Sequence, residues 1–232
     1  MSRHSPPNPF GPGLFRFLRA LARNNNRNWF QQRKERYEAE VREPALDFIR
    51  LMAGPVLRIS PHLTAIDKRV GGSLMRVHRD TRFSNNKLPY KTNVGIQFRH
   101  EAGKDVHAPG LYLHVEPGRC FLGCGMWRPD SESLRAVREA IVDDPRGWKR
   151  VRDGKRFRDA WAPGGASLKR APRGYDESHE MIEDLRRTDH IAFCELSDPE
   201  IVAADLVTEV TSRFRRAAPY LRWQAEALGL PF

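Results

Sequence analysis

Between Arg76 and Asn93 the chain sets five cations, Arg76, Arg79, Arg82, Lys87 and Lys91, against a single acid, Asp80. Hydroxyls (Thr81, Ser84, Tyr90, Thr92) and side-chain amides (Asn85, Asn86, Asn93) are interleaved with them, and His78 stands among the first cations. These groups mostly donate hydrogen bonds or carry positive charge, so the inventory matches a bound anion better than a metal ion or an apolar ligand. Further along, Tyr112, His114 and Glu116 recur at every second residue. On a strand such side chains emerge on one face, roughly 6–7 Å apart, which brings an imidazole and a carboxylate to one substrate as acid and base. The expected site therefore has Arg76, His78, Arg79, Arg82, Lys87, Tyr90, Lys91, Asn93 and Tyr112 holding an anionic small molecule. His114 and Glu116 are its catalytic candidates.

Other chemistries find less support. His114 and Glu116 are ligand types for a metal, but no third ligand is fixed by spacing, and the metal reading ranks below the anion reading. The chain has no Gly-x-x-x-x-Gly-Lys-Ser/Thr, Gly-x-Gly-x-x-Gly, His-Glu-x-x-His or Gly-x-Ser-x-Gly motif. Cys124, within Gly123-Cys-Gly125, reads as a small buried residue rather than a nucleophile. The acids are too scattered for a two-metal site. The residues specify no cofactor and no named reaction.

The elements that must carry this site follow from periodicity. Leu14, Phe15, Leu18, Leu21 and Ala22 repeat at helical spacing and stop at Asn24-Asn-Asn26. Asn28 is the expected cap of a second helix with Phe30, Lys34, Tyr37 and Val41, and Pro44 opens a third with Leu46, Ile49, Ala53 and Val56. Residues 60–72 read as a loop. From Ser73 the period becomes two, through 73–77, 92–99 and 111–116, followed by a mostly apolar run at 119–125. Short gaps between these runs favour an antiparallel meander. On that pairing Arg76, His78, Asn93, Gln97, Tyr112, His114 and Glu116 share one polar face. Helices are expected after Pro129-Asp130, near Met181 to Leu185, and at the end. There Ser197 and Glu200 have capping-box spacing before Val202, Leu206, Val210 and Phe214. A short strand is expected at 191–196. The fold class is α+β, an antiparallel β-meander packed against several α-helices in a single domain over 10–232, after a flexible tail at 1–9. Its parts are a helical start at 10–58, a sheet core at 73–126 and a basic, helical part at 130–232.

Length and charge set the outer bounds. The 232 residues suffice for one substantial core. No run of about 18 apolar residues predicts a membrane helix, and the N-terminus lacks the apolar core of a signal peptide. Cys120 and Cys124, if on one strand, lie about 13 Å apart at roughly 3.3 Å per residue, too far for a disulfide. With Cys194 they make an odd set without Cys-x-x-Cys, which fits a reducing, cytoplasmic setting. The formal charge of +11 raises nucleic acid as a partner. Most of it comes from 146–173, where ten basic residues face Asp153 and Asp159, a net of +8. This segment reads first as a solvated face and loop, and second as a nucleic-acid surface. Arginine far outnumbers lysine, a bias that GC-rich codon usage produces without selection. Oligomeric state is not legible.

Four blocks of residues stand out, in order along the chain. The first is Leu18-x-x-Leu21, Asn24-Asn25 and Asn28-Trp29-Phe30, with Arg33 and Tyr37. The second is Gly72-Ser73-Leu74, Arg79-Asp80-Thr81-Arg82-Phe83-Ser84 and Lys87-x-Pro89-Tyr90-Lys91-Thr92. The third is Pro109-Gly110-x-Tyr112-x-His114-x-Glu116, then Gly123-x-Gly125 with Pro129. The fourth is Leu168-Lys169-Arg170, Pro172-Arg173-Gly174-Tyr175-Asp176 and His179. In this order the blocks resemble the DUF2461 domain family, a group of unknown function found in bacteria and fungi; the resemblance implies a single α+β domain and brings no established activity or cofactor. Asn86 stands where the family commonly has Asp, which removes an acidic role there, and Glu180 stands where Pro is usual. Within these blocks Trp29, Phe30 and Tyr37 are expected as core anchors. Arg33 and Asn25 are expected to tie the first helices to the sheet.

Overall fold

Alternation in the middle of the chain builds a six-stranded antiparallel sheet in the order β1-β2-β3-β4-β6-β5. The strands are β1 (Leu63–Thr64), β2 (Val94–His100), β3 (Gly110–Val115), β4 (Cys120–Met126), β5 (Ala162–Gly164) and β6 (His190–Leu196). The computed structural model describes residues 7–82, 84–103 and 108–232. Most of the expected tail and Phe83 of the basic loop lie outside the described residues, while Asn8 already binds the carbonyls of Ile201 and Ala203 at 2.8 and 2.7 Å. One sheet face is apolar: Ile96, Phe98, Leu111, Leu113, Leu122 and Ala192 are buried. Against it lie α4 (Glu43–Ile59), with Phe48, Ile49 and Met52, and α10 (Leu206–Ala227), with Val210, Phe214 and Leu221. The other face carries Tyr112, His114, Phe121 and Phe193, all partly exposed. The fold is α+β, as the periodicity requires.

At the start of the chain, α1 (Pro12–Arg23) is followed by α2 (Arg27–Gln31), which Asn26 caps, not Asn28: the Asn26 side chain accepts from the Trp29 N–H at 2.9 Å. The expected second and third helices run together, as α3 (Lys34–Tyr37), a π-helical turn (Glu38–Arg42) and α4. Pro44 falls at the start of α4, directly after the π-helical turn. Residues 73–78 make only the isolated bridges Leu74↔Ile96 and His78↔Tyr90, so the first expected strand is fragmentary.

The basic segment is more structured than its charge implies. Asp144 caps α6 (Pro145–Asp153) through the Gly147 N–H at 2.8 Å, and α7 (Lys155–Arg158) and β5 follow. Trp148, Phe157 and Trp161 are buried from this segment, and burial of aromatic area outweighs the arginines in placing it. The helix expected at 131–143 is α5 (Ser131–Asp143), and α8 (Ile182–Leu185) leads into β6. Beside β4, β6 is a seven-residue partner rather than a marginal strand. Ser197 and Glu200 do form a capping box, but on the short α9 (Asp198–Val202), and α10 starts separately at Leu206. Cys120, Cys124 and Cys194 are buried free thiols on the apolar face. Burial pushes the Cys120 thiol up to about 11 and Cys124 well above its usual value, so neither is a thiolate nucleophile at neutral pH. Among the described residues no helix is long and apolar enough to cross a membrane.

Candidate functional site

The strand register brings the acid–base candidates together. His114 on β3 lies opposite Gly95 of β2 and Phe121 of β4, and Tyr112 lies opposite Gln97 and Gly123. From this follows a chain of polar contacts. The Tyr112 hydroxyl is 3.1 Å from His114 Nδ1, His114 Nε2 is 3.3 Å from Glu116 Oε2, and Thr92 donates to Glu116 Oε1 at 3.3 Å. The Asn93 amide reaches His114 Nδ1 at 3.5 Å. A carboxylate only accepts, so Nε2 carries the imidazole proton and Nδ1 is left to accept from Tyr112. Phe121 stacks on the imidazole at 4.6 Å and 10°. Burial lowers the His114 pKa, with Glu116 pulling the other way, which keeps the ring neutral at pH 7. Burial, and then the Glu116 charge, push the Tyr112 phenol up to about 12.

Space for this chain comes from a glycine. A Cβ on Gly95 would lie 2.7 Å from the Tyr112 hydroxyl and 3.0 Å from the Met75 sulfur. Gly95→Ala is therefore expected to push the phenol off His114 and cost about 1–3 kcal/mol as overpacking. The check is the His114 Nδ1 chemical shift, which moves if the hydrogen bond is lost; an unchanged shift would show that Tyr112 tolerates the methyl group.

The basic loop divides into parts with different fates. Arg82 is turned back on Asp80, at 3.1 Å from Nε and 2.8 Å from Nη2, and that pairing holds the Asp80 carboxyl down at about 2. Lys87 donates to the Thr81 carbonyl at 3.0 Å. These two expected ligands are exposed and engaged in the loop's own structure. Arg76 and Lys91 remain without a side-chain hydrogen bond or ion pair among the described residues. Lys91 is partly buried, and burial followed by the Arg76 charge lowers its pKa.

Tyr90 is a core residue, stacked on Phe30 at 4.1 Å, with His78 5.2 Å away. The Asn25 amide clamps it, donating to the Tyr90 carbonyl at 2.9 Å and accepting its N–H at 3.0 Å. Arg33, between α2 and α3, folds back on α2 with its guanidinium 4.7 Å over the Trp29 ring. His78 thus departs from the expected polar face: its ring sits against Tyr90 and Phe30. His78, Arg79 and Tyr90 line a pocket of about 260 Å³ together with Arg27 and Gln31 of α2. Local sequence pattern did not bring Arg27 and Gln31 to this loop. The only available signal was their i,i+4 spacing, which places both on one helix face.

Four of the ten cations in 146–173 are held by carboxylates. Lys149 pairs with Glu180, Arg152 with Asp153 and Asp184, Lys155 with Asp159, and Arg158 with Asp153. Among the described residues no group of His, Cys, Asp and Glu could hold a metal ion.

Fold and site together define a single-domain α+β protein with a polar sheet face bordered by a basic loop. The chain belongs to the family described as "Conserved hypothetical protein (DUF2461)", whose model matches residues 13–223 of 232. No curated protein matches it.

Proposed function

We propose that this protein is an enzyme that holds a small phosphate- or carboxylate-bearing compound at the polar sheet face and moves a proton on it. The observation that carries this reading is the chain Tyr112–His114–Glu116–Thr92, which fixes one imidazole tautomer and takes in Thr92, the residue after Lys91. Glu116 orients His114 through Nε2 and would stabilise the imidazolium once Nδ1 takes a proton. Tyr112, protonated at neutral pH, is the group through which that proton passes. Lys91 and Arg76 supply the charge that attracts the anion. The buried free thiols fit a reducing compartment, and the cytoplasm is the proposed location.

Nucleic-acid binding by 146–173 is the weaker reading, because four of its ten cations, Lys149, Arg152, Lys155 and Arg158, are already paired with carboxylates.

The test is a titration of isotope-labelled protein with a panel of phosphate- and carboxylate-bearing compounds. Binding shifts the His114 ring and Lys91 ammonium signals. Lys91→Ala weakens it about tenfold or more, since a hydrogen bond to a charged group contributes about 1.5–3 kcal/mol. If the whole panel leaves both signals unmoved at millimolar concentration, the reading is wrong.

A further inference from the structure

We propose a second anion site, separate from the sheet face, in the pocket between α2 and the loop, with a phosphate ester of a small organic group as its ligand. The pocket encloses about 260 Å³. Drug-sized ligands occupy roughly 300–1,000 Å³, so this one suits a smaller compound with room beyond its phosphate.

The chemistry of the walls selects an anion. Arg27 enters from α2 and Arg79 from the loop, and neither makes a side-chain hydrogen bond or ion pair among the described residues. Elsewhere arginines are commonly held by acids, as Arg50 is by Asp47 and Asp67. The acid next to Arg79, Asp80, is taken by Arg82. Two guanidinium groups lining one cavity repel each other unless an anion lies between them, and their planar forks match phosphate oxygens in pairs.

A second observation points the same way. Tyr90 lines the pocket, and no protein group among the described residues hydrogen-bonds its hydroxyl, which leaves that hydroxyl available to a ligand oxygen. Gln31 and Thr81 add neutral donors, while Pro89 and the His78 ring give an apolar side to the organic remainder. The wall is preorganised, because Asn25 fixes the Tyr90 backbone and Phe30 fixes its ring. That lowers the ordering cost of binding.

The pocket shares no lining residue with the Tyr112–His114–Glu116 chain, so the two proposals stand or fall separately. They are joined only through backbone, since Tyr90 belongs to the pocket and Thr92 and Asn93 to the chain.

Calorimetric titration with inorganic phosphate and with glycerol phosphate tests the site on the full-length protein. Both bind, glycerol phosphate more tightly. Arg27→Ala and Arg79→Ala each weaken binding about tenfold or more, whereas Lys68→Ala, exposed and outside the pocket, leaves it unchanged. Arg79→Lys, which keeps the charge and loses the fork, gives an intermediate loss and guards against misfolding as the cause. Tyr90→Phe also weakens binding while leaving thermal stability unchanged or higher. The proposal is overturned if neither compound binds at millimolar concentration. It is also overturned if binding persists in both arginine variants, including the case in which Lys91→Ala then removes it.

Discussion

Gly125→Ala is expected to lower the unfolding free energy by about 3 kcal/mol or more, among the largest effects available to a single methyl group. Gly125 has φ +108°, a region that L side chains rarely adopt, and a Cβ there would fall 2.1 Å from the His190 carbonyl oxygen. Backbone strain of this kind costs about 1–3 kcal/mol, and overpacking adds about 1–3 kcal/mol. The obstacle is backbone, and it cannot swing away. The same oxygen accepts a hydrogen bond from Gln224 Nε2 at 2.9 Å, so relief would disturb both the β4–β6 pairing and α10. Gly118 is the internal control: its φ is +77°, but nothing lies within 4 Å of its added Cβ. Gly118→Ala should cost only about 1–2 kcal/mol. Denaturant midpoints of the two variants decide the matter, and equal losses would remove the clash from the explanation.

Acid should unfold this protein through His190. Its ring is fully buried, against Trp148 at 5.8 Å, and neither ring nitrogen has a hydrogen-bond partner among the described residues. Burial first, then the charges of Arg187 and Arg138, depress its pKa to about 3. In the unfolded chain the imidazole titrates near its ordinary value of about 6.5. Between these two values the unfolded state binds the extra proton, so stability is full above about pH 6.5 and falls as the pH drops towards 3. Each unit of depression is worth about 1.4 kcal/mol, and the accumulated loss of several kcal/mol is comparable with a total stability of about 5–15 kcal/mol. His114, also depressed, adds to the same slope. His190→Leu removes the titrating group and both orphaned nitrogens at similar volume. Its acid midpoint, followed by circular dichroism, should move to lower pH while stability at pH 7 holds. An unmoved midpoint would assign acid unfolding to other groups.

Both effects turn on features that local pattern only half discloses. The period-two runs made β2, β3 and β4 legible, and with them the trio Tyr112, His114 and Glu116, because alternation dictates which side chains share a face. Gly125 was visible as a glycine in a near-apolar run, but the reason for it, the approach of His190, comes from a strand 65 residues further on. The basic loop was legible as donors and charge. Which cations remain available was not, since Arg82 chooses Asp80 and α2 brings Arg27 to Arg79 only through tertiary packing. In 146–173 the arginines masked α6 and α7, whose placement rests on Trp148, Phe157 and Trp161. The capping box was read correctly at Ser197 and Glu200, yet nothing local showed that its helix stops at Val202.

The Asn25 clamp has a further meaning for the architecture of the loop. A carboxamide presents the same donor and acceptor as a peptide unit, and here it satisfies both backbone groups of Tyr90. On the opposite edge, the Pro89 carbonyl and the Lys91 N–H are taken by Arg79 and Val77. Residues 89–91 are thereby the middle of a miniature three-stranded sheet whose third strand is a single side chain. The segment between Val77 and Pro89, eleven residues long, has both feet stitched into that seam, and the stitch belongs to the turn between α1 and α2, so the loop is sprung from the helical half of the molecule as much as from the sheet.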